Sequence, residues 1–395
     1  MKKLLVLGAG YLQKFVIEKA VNMGYYVYAA DKNPDSVGFS AASESAIVDI
    51  VDKEACLKFA REKGVDGVMT AATDYGVLAA AYTGANLGLN AINEDAAKII
   101  KNKYLVRKTL SAKSVDCVKQ FYEITSIEDA EELKEKLSFP LMVKPCDGSG
   151  SKGAGRVDDF EEFIAGCREA LAASLSKRVI AEDFIVGREY GAETLVINGE
   201  PHVLAVMQKD MTEPPFYAEL GHSVPSGLSF DDKIKETVSN AIKAIGVNFG
   251  AVNMDMLITD NGDICIVDIG ARMGGNLIGS HIVPLSSGVD YLGNLIRATV
   301  GDEVDLTPVS APAPVATKLL ALTEGKIKQL PDFELIEREL DVKIYHHLAV
   351  GDTIRRYKNN LDGCGYVVAT ACDVKEAKQK AQAALLRIDR EIVRE

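Results

Sequence analysis

Short apolar runs punctuate the first seventy residues: "KLLVLG" at 3–8, "YYVYAAD" at 25–31, "SAIVDIV" at 45–51 and "DGVMTA" at 66–71. Between them, "YLQKFVIEKAVNMG" (11–24) and "KEACLKFAREKG" (53–64) place apolar residues three and four apart, the spacing of a helix with one buried face. Strand and helix in alternation predict right-handed βαβ units around a parallel sheet. "NEDAAKIIKNKYLVRKTLSAK" (93–113) reads as one long polar helix. From about residue 120 the rhythm changes. "QFYEIT", "PLMVKPCD", "GAGRVD" and "RVIAEDFI" read as strands, with helices "IEDAEELKEKL" and "DFEEFIAGCREALAAS" between them, which predicts a compact α+β module. Longer strands follow: "EYGAETLVING" with "EPHVLAVMQ", then "VNMDMLITDNGDICIVDIG", where Asn261-Gly262 is a strong hairpin turn. Pro312 and Pro314 suggest a boundary, and "VKEAKQKAQAALLRIDREIV" closes the chain as an amphipathic helix. The predicted parts are 1–104, 105–187, 188–305 and 306–395.

At 395 residues the chain exceeds one ordinary core, and its net charge of −12 with no basic block argues against nucleic acid as a partner. No apolar stretch is long enough to span a bilayer, and the opening strand is too brief for a signal sequence. Seven cysteines lie scattered without C-x-x-C pairs, so free thiols in a reducing cytoplasm are expected, without membrane association.

Gly8 and Gly10 follow the first strand, and Asp31 ends the second, where a dinucleotide-binding acid belongs. Gln13 replaces the third glycine of that fingerprint, so a tight strand-to-helix turn or a different ligand is favoured over NAD. "MVKPCDGSGSKGAGRV" (142–157) is more informative. Lys144 ends a strand, and Gly148, Gly150, Gly153 and Gly155 precede another, so no Walker A loop is present. Such a loop is a flap whose amides, with Ser149, Ser151 and Lys152, can fold over phosphate oxygens. Asp255 and Asp268 flank the Asn261-Gly262 turn almost symmetrically and are expected to face each other across the ladder. Two carboxylates so placed repel unless a cation joins them, and Mg²⁺ suits one or two carboxylates plus phosphates.

These motifs together resemble the ATP-grasp superfamily, in particular its carboxylate–amine ligases, which include L-amino-acid ligases and purine-pathway synthetases. The resemblance spans essentially the whole chain. It implies an α/β and α+β protein: an ATP-grasp fold behind a Rossmann-like pre-ATP-grasp domain that does not bind NAD. Position by position, it implies that Lys103 and Lys144 reach the ATP phosphates under the flap (Gly148, Ser149, Gly150, Ser151, Gly153). It further implies that Glu182 and the backbone of Asp183, Phe184 and Ile185 read the adenine edge, and that Glu189 holds the ribose. Asp255 and Asp268 would ligate Mg²⁺, or Mn²⁺ in its place. They stand where the family has glutamates, and Gly270 stands where it has asparagine, so either water or Asn276 completes the ligation. Arg272 is expected to grip a substrate carboxylate, with Lys209, Glu219 and His222 on a substrate-side loop.

The expected activity joins a carboxylate to an amine through an acyl phosphate, releasing ADP and phosphate, in a cytoplasmic homodimer acting on small molecules. A purine-pathway or bicarbonate-using enzyme of the same fold is the alternative. An NAD oxidoreductase and a non-catalytic nucleotide sensor rank lower.

Overall fold

The computed structural model describes residues 1–148, 152–214 and 216–395. The opening alternation forms a four-stranded parallel sheet in the order Glu44–Ile47, Tyr26–Asp31, Lys3–Leu7 and Gly67–Thr70. Each boundary has a local cause. Asp52 caps the helix Lys53–Lys63 by accepting from the Glu54 and Ala55 amides, and Gly64 ends it in the left-handed conformation. The expected single helix over 93–113 is instead two, Glu94–Ile100 and Lys103–Ala112. The Asn102 side chain accepts from the Tyr104 and Leu105 amides, a cap that starts a new helix where the periodicity alone continues the old one.

The α+β module is a four-stranded antiparallel sheet, ordered Phe121–Ile124, Val179–Asp183, Leu141–Pro145, Gly155–Val157, against the helices Ile127–Glu132 and Phe160–Ala173. Its core, built from residues such as Leu141, Phe163 and Ala181, is its own. This lobe can therefore shift as a body without opening another core.

The third layer is one eight-stranded antiparallel sheet. Its order is Ile264–Gly270, Gly250–Ile258, Arg188–Ile197, Glu200–Met211, Glu219–Val224, Val315–Leu319, Gly365–Thr370, Val342–His346. The segment after residue 306 thus extends this sheet rather than packing on it as a separate layer. One apolar cluster joins Leu4, Val6 and Ile17 of the first domain to Leu195, Met207 and Ile278, fixing the N-terminal domain to the large sheet. The lid lobe and the rigid pair face each other, and the polar residues collect between them.

Candidate active site

Asp255 and Asp268 are direct cross-strand partners in the hairpin, with a bulge just after Asp255. Their charges are met by lysines, which corrects the expectation that a metal is needed to join them. Lys103 Nζ lies 2.6 Å from Asp268 Oδ1, and Lys209 Nζ lies 2.7 Å from Asp255 Oδ1. Lys209 reaches Asp255 across an intervening strand. The crossing point is Gly191, opposite Met207 in one ladder and Asp255 in the other. A Cβ there would sit 3.2 Å from Lys209 Cε, so glycine keeps the passage open. Lys209 is also 2.5 Å from Glu219. Burial works against the Glu219 charge, yet Lys209 and His222 hold its carboxyl well below the usual range. Burial wins at Asp255, whose carboxyl is raised despite Lys209.

Lys209, Glu219 and His222 do not share a loop, as the sequence suggested. Lys209 lies on the strand Glu200–Met211, and Glu219 and His222 lie on the strand Glu219–Val224. His222 is paired with Lys209, is only 2% exposed, and points Nε2 to within 3.4 Å of Glu219.

On the lid side, Lys144 Nζ is 2.6 Å from Glu182 Oε1 and donates to the Val267 carbonyl at 3.2 Å. Arg107 Nε donates to the other Glu182 oxygen at 2.8 Å. Burial disfavours the Glu182 carboxylate, but these two cations outweigh it and hold its carboxyl at about 2. Each of its two oxygens therefore meets a protein cation, so the expected adenine-reading role of its side chain competes with Arg107 and Lys144. The Asp183 amide donates to Gln120 O at 3.0 Å and the Phe184 amide to Pro140 O at 3.2 Å. The Asp183 carboxylate accepts from the Lys119 and Gln120 amides. Ile185 alone of the three keeps an amide with no partner among the described residues. Glu189, half-buried, has its carboxyl pushed up to about 7 by burial, with Lys209 opposing and Asp255 adding to the shift. Gly148 and Gly153 are at the two ends of the flap, Gly153 at φ +71°. The expectations for Ser149, Gly150 and Ser151 lie outside the described residues.

Arg272 meets a partner that sequence reading missed. Its Nε and Nη2 face Asp74 at 3.2 and 3.3 Å, and its Nη1 faces Asn253 Oδ1 at 3.4 Å. Asp74 comes from the loop after the strand Gly67–Thr70. Asn276 does not join Asp255 and Asp268. Its Nδ2 donates to Glu219 and its Oδ1 accepts from Tyr366 at 3.1 Å, so both polar atoms are committed elsewhere. Asn253, paired with Gly270, lines the pocket together with both aspartates. Beneath this loop the buried Glu193 accepts from Tyr291, the Gly274 amide and Asn253, while burial lifts its carboxyl to about 7.

Lys103, Gly148, Asp255, Asp268, Arg272 and Asp74 line one pocket between lid and rigid pair. Among the described residues, no group of three or more His, Cys, Asp or Glu side chains is arranged to hold a metal ion. The opening glycines make a different arrangement. Gln13 Nε2 donates to Ala71 O at 2.6 Å, and Gln13 Oε1 lies 2.8 Å from where a Gly10 Cβ would project. Asp31 accepts from the Ala9 and Asn33 amides. Gln13 and Asp31 are thus both bonded to backbone groups around the strand-to-helix turn.

Cysteine pairing also departs from expectation. Cys117 and Cys265 form a disulfide with Cα atoms 5.4 Å apart, and the other five are free. No helix among the described residues is long and apolar enough to cross a membrane.

An ATP-grasp domain model matches residues 100–276, and an L-amino acid ligase C-terminal domain 2 model matches 318–393. An uncharacterized protein, y4rH, of Sinorhizobium fredii is 25% identical over 73% of the chain, which spans 60% of that relative's length. A formate-dependent phosphoribosylglycinamide formyltransferase of Sulfurisphaera tokodaii is 22% identical over 97% of this chain and 96% of its own. Dapdiamide A synthase of Enterobacter agglomerans is 21% identical over 68% of this chain and 66% of its own. Among solved structures, L-amino acid ligase from Bacillus licheniformis superposes with a TM-score of 0.84 at 22% identity, covering 100% of this chain and 99% of its own. Phosphoribosylglycinamide synthetase from Anaerococcus prevotii gives 0.80 at 23% identity, over 100% of both chains. The chain therefore carries an ATP-grasp domain over 100–276 and an L-amino acid ligase type C-terminal domain over 318–393, and it has the ATP-grasp fold.

Proposed function

We propose that this chain is an ATP-dependent ligase that phosphorylates a small carboxylate and joins it to an amine, releasing ADP and phosphate. The observation that carries the reading is the convergence of Lys103, Asp255, Asp268 and Arg272 on one pocket between a self-contained lid and a rigid base. Phosphoryl transfer needs positioning and charge neutralisation more than covalent assistance. Lys103 and Lys144 supply cations on either side of the nucleotide's phosphates. Ile185 offers its amide to the base, and Glu189 accepts from the ribose hydroxyls.

The donor set fits a magnesium ion in its chemistry: two facing carboxylates line one pocket wall, the number Mg²⁺ takes when phosphate oxygens supply further ligands. Asp255 and Asp268 would hold Mg²⁺, or Mn²⁺, which when bound neutralises phosphate charge. Arg272 lines the pocket and would offer its planar guanidinium to the substrate carboxylate, with Asp74 along its Nε–Nη2 edge and Nη1 toward Asn253. Lid closure excludes water from the acyl phosphate.

The L-amino acid ligase type C-terminal domain favours amino-acid-sized substrates. A second reading, a formate- or bicarbonate-using or purine-pathway enzyme, is favoured by the near-complete alignment with the formyltransferase. ADP release measured against a matrix of amino acids and small carboxylates tests both. Release dependent on an amino acid supports the first. Release driven by formate or bicarbonate without amine supports the second, and no ADP release with any substrate points to a non-catalytic nucleotide sensor. A cytoplasmic homodimer is the expected form, checked by sedimentation.

A further inference from the structure

Arg107 was no candidate on sequence grounds, yet it is a buried cation bonded to both the lid and the hairpin. The geometry points to Arg107 as the positioning residue that sets the base-reading strand against the metal-side hairpin; this rests on the ATP reading above. Its side chain is 4% exposed and uses all three nitrogens. Nε donates to Glu182 Oε2 at 2.8 Å, Nη2 to the Ile266 carbonyl at 2.7 Å, and Nη1 to Asp116. These partners belong to three different parts of the chain: the lid strand Val179–Asp183, the hairpin strand Ile264–Gly270, and the segment entering the lid.

The surrounding contacts place this joint in the clamp. Glu182 shares its second oxygen with Lys144, and Lys144 donates to Val267 O, the carbonyl after the one Arg107 takes. Asp268 is the next residue, and its partner Lys103 lies one helical turn before Arg107 on the helix Lys103–Ala112. One helix face thus carries two cations, one on the hairpin carboxylate and one on the lid carboxylate. The Cys117–Cys265 disulfide ties the same two segments, beside Asp116 and Ile266 respectively. Glu182 lies three residues before Ile185, so fixing the Glu182 carboxylate fixes the strand end that presents the unpartnered amide. A lysine at 107 cannot reproduce three directed bonds from one planar group.

The test uses the full chain and Mg-ADP as the probe, with affinity read by calorimetry. Arg107→Lys and Arg107→Ala are expected to weaken Mg-ADP by at least about tenfold, the loss set by charged hydrogen bonds. Added guanidinium, below concentrations that unfold the chain, is expected to restore part of the Arg107→Ala loss. Leu110→Ala, which loosens the same helix from its buried face, is expected to lower the melting temperature with Mg-ADP affinity within about twofold of wild type. Folded Arg107→Lys protein that binds Mg-ADP as wild type does overturns the inference, as does an equal affinity loss in Leu110→Ala. If Arg107→Ala fails to fold, the Arg107→Lys comparison and its coupling with Glu182→Gln decide: additive losses in affinity overturn the inference and coupled losses uphold it. Wild-type protein that ignores Mg-ADP defeats the ATP reading itself, a result separable from wild-type binding with unaffected variants.

Discussion

Replacing Lys209 with methionine tests the charge arrangement most severely. The ammonium is buried between Glu219 and Asp255, at 2.5 and 2.7 Å, and reaches Asp255 only through the opening at Gly191. Methionine fills similar volume, so the cavity contribution is small and the lost cation dominates. Removing one partner of a buried ion pair costs about 3–5 kcal/mol, because the remaining charge is left unpaired. Here two carboxylates are left facing one another, and each loses the cation that opposes its burial. Their pKa values in the folded variant then rise above those of the unfolded chain. Such groups contribute least stability when ionised, so the deficit is full at pH 8 and shrinks as falling pH protonates them. The assay is thermal unfolding of wild type and Lys209→Met from pH 5 to pH 8, with the double variant Lys209→Met/Glu219→Gln alongside. The melting-temperature gap should widen with pH, and the double variant should recover part of it. A gap that is constant with pH, or no recovery in the double variant, refutes the reasoning.

Asp268→Ala should abolish ADP release while retaining the far-ultraviolet circular dichroism of the fold; unchanged turnover would contradict the assignment of Asp268 to the phosphate site. Glu189, raised to about 7 by burial, makes the folded state bind more protons than the unfolded one between about pH 4.5 and 7. Glu189 is therefore expected to lower stability by on the order of 1–3 kcal/mol as pH rises through that window, and Glu189→Gln should remove its share of the slope in chemical denaturation, leaving that of Glu193. Thiol titration of the denatured chain should count five groups without reductant and seven after reduction, and seven at the outset would exclude the Cys117–Cys265 bond.

Much of the fold was legible because its elements obey local rules. The parallel βαβ start, the α+β lobe and the Asn261-Gly262 hairpin each follow from periodicity and turn chemistry. Asp255 and Asp268 face each other as expected, but by a different route: Thr259 bonds Asp263 across a longer loop, and the bulge after Asp255 shifts the register by the one residue that a two-residue turn at Asn261-Gly262 would have supplied. The failures share a cause as well. Asn102 interrupts a helix through a side-chain cap, which hydrophobic spacing does not register. Asp74 and Asn253 matter because distant segments meet at Arg272, and no spacing along the chain encodes that meeting. Asn276 was assigned to the metal side from its place in a glycine-rich loop. At φ +50° its backbone turns instead toward Glu219 and Tyr366. Arg107 did leave a trace in the sequence, four residues after Lys103 on one helix face. The trace becomes meaningful only once Glu182 and the hairpin are seen to flank it.

The central claim is that a nucleoside triphosphate occupies the cleft between lid and hairpin. A crystal structure with Mg-ADP tests it most directly. The account predicts the base beside the Ile185 amide, with the phosphates between Lys103 and Lys144 and a metal bridging them to Asp255 and Asp268. Nucleotide seated instead over Gly8 and Gly10, with that cleft empty, would contradict it.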